Sequence, residues 1–248
     1  MRFYQKYQLF FIAILIVLMT SCGKDSACFK GTGSIVKEQR EISEAVINID
    51  TEDNIDIVIT QSNNASLFIE GGENILPYIK TEISENVLSI SSDNRCGMFR
   101  DNTIPITVYL SIPNLSEIDY TGQGNITSSN TLNFPTFDFD SFGGSGTISL
   151  DLKTDKLAIK QHSGPSEFKL RGQVNEMYVY TLGQGWFYLD QLVANSIHVN
   201  HSGIGDVFVN SKDKLLVEMR SRGSVFYLGG PTVLVSPNIG QGSVEPNN

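Results

Sequence analysis

The chain has 248 residues, enough for one large domain or two small ones. Charged residues make up 18% of it, below the usual quarter, so the surface relies on neutral polar side chains. The formal net charge of −9 repels phosphate backbones and argues against a nucleic-acid partner.

Residues 1–21 have the pattern of a targeting segment. Arg2 and Lys6 supply positive charge, and the apolar run from Leu9 to Met19 is too short to span a bilayer of about 30 Å. Small residues then lead to Cys22. This resembles a bacterial lipoprotein signal, in which Cys22 becomes the lipidated first residue. The alternative is an ordinary cleaved secretory signal, which would leave Cys22 as a free thiol.

Residues 22–44 are polar and mixed, and we expect them to tether the lipid to a folded domain. The expected location is the bacterial outer membrane, most readily the cell surface, with the periplasmic face as the alternative. Cys28 and Cys96 form an even pair in an oxidising compartment, so we predict a disulfide, with two free thiols as the alternative. Neither these cysteines nor the three histidines have metal-ligand spacing, and no metal or cofactor is expected.

Residues 45–117 contain short apolar segments that alternate with polar residues at period two. Turn-forming pairs such as Asn63-Asn64 and Gly71-Gly72 separate these segments. The alternation predicts strands, and no stretch has convincing helical periodicity. We therefore predict a strand-rich N-terminal part that caps or flanks the segment after it.

From residue 118 to the C-terminus a pattern of about 20 residues returns seven times. Each copy has two small residues separated by one residue, then apolar residues alternating with polar ones. The second small residues are Gly124, Gly146, Ser166, Gly185, Gly205, Gly223 and Gly242. Glycine suits a tight corner, and a strand rather than a helix follows each copy, which excludes a dinucleotide motif. The repeats predict an all-β, parallel β-helix-like solenoid, continuous with the N-terminal part.

One copy, from Ile197 to Val209, reads IHVNHSGIGDVFV, and Tyr120 to Ile126 and Phe142 to Leu150 follow the same pattern. The lead-in from Ile106 to Ile118 reads ITVYLSIPNLSEI. These segments resemble the family of bacterial envelope lipoproteins described as "putative auto-transporter adhesin, head GIN domain". The resemblance covers the chain from about Gly31 to its end, and it implies a parallel solenoid on the cell envelope.

Several copies carry aromatic residues at positions that should face outward. These residues are Trp186, Tyr188, Phe208, Phe226, Tyr178 and Tyr180. We predict a ladder of Tyr188, Phe208 and Phe226 with Trp186 beside it, extended around the corner by the two other tyrosines. Such a strip suits sugar rings or a protein surface. The alternative is that the N-terminal strands cover the strip as a second sheet.

Six aspartates are candidates for a site that cleaves polysaccharides. They are Asp119, Asp138, Asp140, Asp151, Asp190 and Asp206. Each is better explained as a solvated or turn-capping residue, so we expect a non-enzymatic adhesin or binding module for glycan or protein. The rivals are a polysaccharide-active enzyme with converging carboxylates and a structural envelope protein without a small ligand. An unpaired last rung near Val244 favours a homodimer through strand edges.

Overall fold

The computed structural model describes residues 31–94 and 104–247. These residues contain seventeen β-strands and a 3-10 helix at Leu76–Tyr78, and no α-helix. None of the helical structure in this part is long and apolar enough to cross a membrane. Cys22, Cys28 and Cys96 lie outside the described residues, as does the expected signal peptide.

Short strands make up the N-terminal half of the domain, and long strands dominate the C-terminal half. In chain order they are β1 (Ile35–Arg40), β2 (Asn48–Thr51), β3 (Asp56–Gln61), β4 (Ser66–Gly72), β5 (Ile79–Ser84), β6 (Val87–Ser92), β7 (Thr107–Ile112), β8 (Glu117–Tyr120), β9 (Ile126–Ser128), β10 (Leu132–Phe142), β11 (Thr147–Ser163), β12 (Glu167–Thr181), β13 (Phe187–His201), β14 (Val207–Met219), β15 (Val225–Leu228), β16 (Thr232–Asn238) and β17 (Val244–Pro246). β1 falls within residues 22–44, so this part of the segment expected to act as a tether is folded.

Strands β10 to β14 pair in parallel, each with the next in sequence. Each residue pairs with the residue one repeat later in the chain, so that Leu157 lies beside Met177 and Met177 lies beside Ile197 on the neighbouring strands. Equivalent positions of successive repeats therefore stack at about 4.8 Å per rung. The result is a parallel β-solenoid of about six coils, which confirms the predicted fold class.

The core consists of side chains that alternate along these strands and point inward. The column two places after the corners is fully buried in six successive coils. It contains Ile126, Ile148, Phe168, Phe187, Val207 and Val225. Each such burial stabilises the fold by about 1.5–3 kcal/mol, and no single coil could bury its own column.

The N-terminal strands extend the solenoid at one end. β2 pairs in parallel with β6 on one side and β8 on the other, and β3 likewise pairs with β7 and β9. The first rung of the chain is thus inserted between two rungs that follow it in sequence. Antiparallel pairing of β4 with β7 and β1, and of β5 with β6, then closes this end. The N-terminal part therefore caps the solenoid.

The opposite end is the rung of β16 and β17. Its inward-facing Val233 and Val235 are only partly buried, since no further coil covers them among the described residues. Pro237 and Pro246 lie in these two strands and provide no backbone N–H. Prolines at an edge limit further strand pairing. The homodimer through this edge stays a prediction.

Candidate functional site

The glycine corners fix where each outward-facing side chain emerges. A Cβ at Gly146 would collide with the carbonyl oxygen of Gly124, and one at Gly205 would collide with that of Gly185. None of the six corner glycines has a positive φ. Glycine is therefore required at these positions because successive corners stack closely, and not because the backbone is left-handed.

Buried polar side chains fill the space under these corners. Gln161 accepts a hydrogen bond from the N–H of Gly185 at 3.1 Å and donates one to the carbonyl of Ser166 at 3.0 Å. Thr181 accepts one from the N–H of Gly203 at 3.2 Å. The corners thus have satisfied backbone groups, and they hold the following strands in a fixed orientation.

The aromatic row consists of Trp186, Tyr188, Phe208 and Phe226. The centroids of the Tyr188 and Phe208 rings are 5.5 Å apart at an interplanar angle of 6°, and those of Phe208 and Phe226 are 5.1 Å apart at 16°. Trp186 lies 6.4 Å from Tyr188 at 13°. These distances fit offset stacking of aromatic rings. The row lies on the outer surface at β13, β14 and β15.

Strand alternation places the row outside. Phe187 and Leu189 are fully buried, so Trp186 and Tyr188 on either side of Phe187 must face outward. Trp186 is 42% exposed, and the other three rings are half-buried. Because the N-terminal strands cap the far end of the solenoid, they do not form a second sheet over the row.

Tyr178 and Tyr180 lie in β12 before the corner, on a different stretch of surface. The Tyr178 ring is 5.2 Å from the ring of His198, and the Tyr180 ring is 5.5 Å from that of His162. The structure does not bring either tyrosine together with the aromatic row. The corner between them turns the chain away from that face.

A groove of about 620 Å³ adjoins the row, and Tyr188 forms part of its wall. Its polar lining includes Asp151, Lys169, Arg171, Asp190 and Gln191. Sequence reasoning missed this groove. The sequence signal for it lies three residues after the second small residue of each copy. At this position the first three copies have small or flexible polar residues, and the fourth copy has an aromatic residue.

An acidic cluster lies on the strands before the corners. Carboxylate oxygens of Glu117, Asp119 and Asp140 lie within 4.8 Å of one another, close enough to share a hard cation. Asp140 is only 10% exposed and pairs with Lys160 at 2.9 Å and with His162 at 2.8 Å. The sequence predicted solvated or turn-capping roles for Asp119 and Asp140, and it did not reveal this convergence.

Crowding changes the acidity of two members of the cluster. Partial burial raises the pKa of Glu117, and the charges of Asp119, Asp140 and Asp138 raise it further. Burial also raises the pKa of Asp119, followed by the charges of Asp140 and Asp50. Both groups therefore hold a proton more tightly than an isolated carboxyl.

Comparisons with known proteins agree with this architecture. The sequence profile of the family described as "Putative auto-transporter adhesin, head GIN domain" matches residues 47–231. A crystal structure described as "a putative adhesin" from Bacteroides fragilis has a TM-score of 0.81 at 24% identity, covering 88% of this chain and 100% of that chain. No curated protein sequence matches the chain.

Two further crystal structures share the fold. One is described as "a putative adhesin" from Parabacteroides merdae, with a TM-score of 0.63 at 21% identity over 88% of this chain and 98% of that chain. The other is described as "Putative lipid binding protein" from Parabacteroides distasonis, with a TM-score of 0.62 at 19% identity over 88% and 100%. The profile match runs from β2 to β15. The chain therefore belongs to the family described as "putative auto-transporter adhesin, head GIN domain".

Proposed function

We propose that this protein is a non-enzymatic adhesin of the cell envelope that binds glycan through the aromatic row. The observation that carries the proposal is the row itself, because four aromatic side chains lie together at the surface of a solenoid whose other outward positions are mostly polar. Contiguous exposed apolar surface marks interaction sites in soluble proteins. The descriptions of the family and of two structural relatives support an adhesive role.

Stacked aromatic rings suit a carbohydrate partner. A sugar ring presents apolar C–H groups on its faces and hydroxyls at its edge, so it gains from an aromatic surface with polar groups nearby. The row has both, since the groove beside Tyr188 contains carboxylate, guanidinium and amide groups. A surface protein is the alternative partner.

The proposal places the domain on a lipid anchor at Cys22, in the outer membrane and facing the cell exterior. The segment from Cys22 to Gly33 would span at most about 40 Å when fully extended. A Cys22→Ser variant should then leave the membrane fraction and appear in the soluble fraction. Retention of that variant in the membrane fraction would exclude this anchor.

A glycan array tests the binding function, with the chain lacking residues 1–22 as the probe. We expect binding to a subset of glycans, and we expect Trp186→Ala to reduce it because one exposed ring is lost. Leu182→Ala is a matched control, since Leu182 is an exposed apolar residue outside the row. Equal binding by both variants and the wild type would show that the aromatic row does not bind the glycan.

The acidic cluster favours a second candidate, a polysaccharide-active enzyme. The carboxylate oxygens of its three members lie within 4.8 Å of one another, glycosidases use a pair of neighbouring carboxyl groups, and a raised pKa suits a general acid. The test is release of reducing ends from a polysaccharide panel. Release by the wild type but not by Asp119→Asn would establish this activity, and no release by the wild type would exclude it for that panel.

A further inference from the structure

The rings of the aromatic row cover one another except at its ends. Phe208 stacks with Tyr188 on one neighbouring strand and with Phe226 on the other, so both faces of its ring are occupied. Tyr188 has Phe208 on one side and Lys169 on the other. The ammonium of Lys169 is 5.9 Å from the ring centroid, and its side chain is half-exposed. Trp186 lies two residues before Tyr188 in the same coil, with its ring 6.4 Å away. Among the described residues, the flexible side chain of Lys169 is therefore the group that lies over the outer face of Tyr188.

The groove begins at this end of the row. The equivalent position in the three preceding coils is held by Thr127, Ser149 and Lys169, none of which has the bulk of a stacked ring. The change to Tyr188 makes a step in the outer surface, and the groove lies at the foot of that step. Its volume of about 620 Å³ falls in the range of ligand sites, about 300–1,000 Å³. The step thus provides an aromatic wall with space in front of it.

The charges of the groove do not favour an anion. Both of its cations have carboxylate partners, since Arg171 Nε donates to Asp151 at 3.3 Å and Lys169 pairs with Glu167 at 2.6 Å. Asp190 adds a negative charge, and the chain as a whole carries −9. Carboxylate acceptors, guanidinium donors and the amide of Gln191 instead match hydroxyl groups, each of which donates and accepts.

We propose that the groove is a subsite for one neutral sugar ring, which stacks on the outer face of Tyr188 in place of the Lys169 side chain and extends the row by one place. The edge of that sugar ring meets Asp190, Gln191 and Arg171, which bind its hydroxyls. This inference rests on the proposed glycan-binding function. It goes further by naming the end of the row as the primary contact and a neutral hexose as the ligand class.

Trp186 is the only tryptophan in the chain and lies beside Tyr188, so its fluorescence reports on the subsite. The protein, purified in a detergent without a sugar headgroup, is titrated with maltohexaose, mannohexaose, cellohexaose and hexagalacturonate. We expect a saturable change with at least one neutral oligosaccharide, and binding of hexagalacturonate at least about tenfold weaker. Equal or tighter binding of hexagalacturonate would overturn the neutral assignment.

Two matched variants separate this subsite from the row as a whole. Tyr188→Ser and Phe226→Ser each remove one end of the stack formed by Tyr188, Phe208 and Phe226, but only Tyr188 borders the groove. Tyr188→Ser should weaken binding about tenfold and Phe226→Ser less than about twofold, while the two variants should lose similar amounts of melting temperature, because each loses one stacking contact with Phe208. Gln191→Ala should also weaken binding, without removing any ring.

The outcomes distinguish the two proposals. Equal loss in both serine variants would show that the row binds glycan without a terminal subsite, so the inference would fail and the proposed function would stand. If no oligosaccharide changes the fluorescence and no glycan on the array is bound, both the proposed glycan-binding function and the terminal subsite would be wrong.

Discussion

At the residue scale, His201 is a fully buried histidine under one of the corners. Its Nδ1 shares a hydrogen bond with the hydroxyl of Thr181, and its Nε2 lies beside Gly223 with no well-formed hydrogen bond among the described residues. Burial lowers the pKa of His201 from 6.5 to about 4, although the Asp206 charge and the Gly223 backbone act in the opposite direction. The imidazole is therefore neutral in the folded protein at neutral pH.

The first prediction concerns acid stability. As pH falls from 6.5 to about 4, the unfolded chain protonates His201 before the folded protein does. The free energy of unfolding should therefore fall by up to about 3 kcal/mol across this window from His201 alone and level off below it. His201→Gln should lose this component, as measured by urea unfolding at several pH values. An unchanged pH slope in the variant would show that His201 does not titrate with a lowered pKa.

The second prediction concerns the acidic cluster. The raised pKa of Asp119 means that its ionisation opposes folding, so this destabilisation is present at pH 7 and absent below the pKa of the unfolded chain. Asp119→Asn should raise the melting temperature at pH 7, and the gain should shrink towards pH 3.5. Asp213→Asn is the control, because Asp213 is an exposed acid outside the cluster. A lower melting temperature for Asp119→Asn at pH 7 would contradict the account.

At the element scale, corners and strands differ in how tightly they restrict substitution. Corner glycines stack so closely that a methyl group has no space, whereas Gly230 has nothing within 4 Å of an added Cβ. Gly205→Ala should therefore destabilise the protein by about 1–3 kcal/mol, while Gly230→Ala should have little effect. Chemical denaturation of the two variants provides the comparison. If the two variants have similar stability, close stacking of the corners is not the reason that glycine occupies these positions.

Sequence reasoning predicted features that depend on local period and repeat length. The row of Tyr188, Phe208 and Phe226 follows from strand alternation together with a repeat of about 20 residues, and the structure stacks these three rings. Sequence reasoning did not predict features that depend on pairing between strands far apart in the sequence. The insertion of β2 and β3 between later rungs and the convergence of Glu117 with Asp140 depend on registers that no local pattern reveals.

At the scale of the whole molecule, the solenoid separates its two ends. The described chain begins at the end capped by β1, β4 and β5, and the aromatic row lies on the coils formed by β13 to β15. About five rungs at about 4.8 Å place the row roughly 25 Å along the solenoid from the first rung. An anchor before β1 would thus hold the capped end and present the row away from the membrane.

The most direct test of the central claim is the fluorescence of Trp186 in the wild-type protein, with and without neutral oligosaccharide. An aromatic row that is open to solvent and binds glycan predicts emission at the long wavelength of an exposed indole. It also predicts a saturable change when an oligosaccharide covers the ring. Emission typical of a buried indole, unchanged by any oligosaccharide or quencher, would show that the row is covered and would contradict its role in recognition.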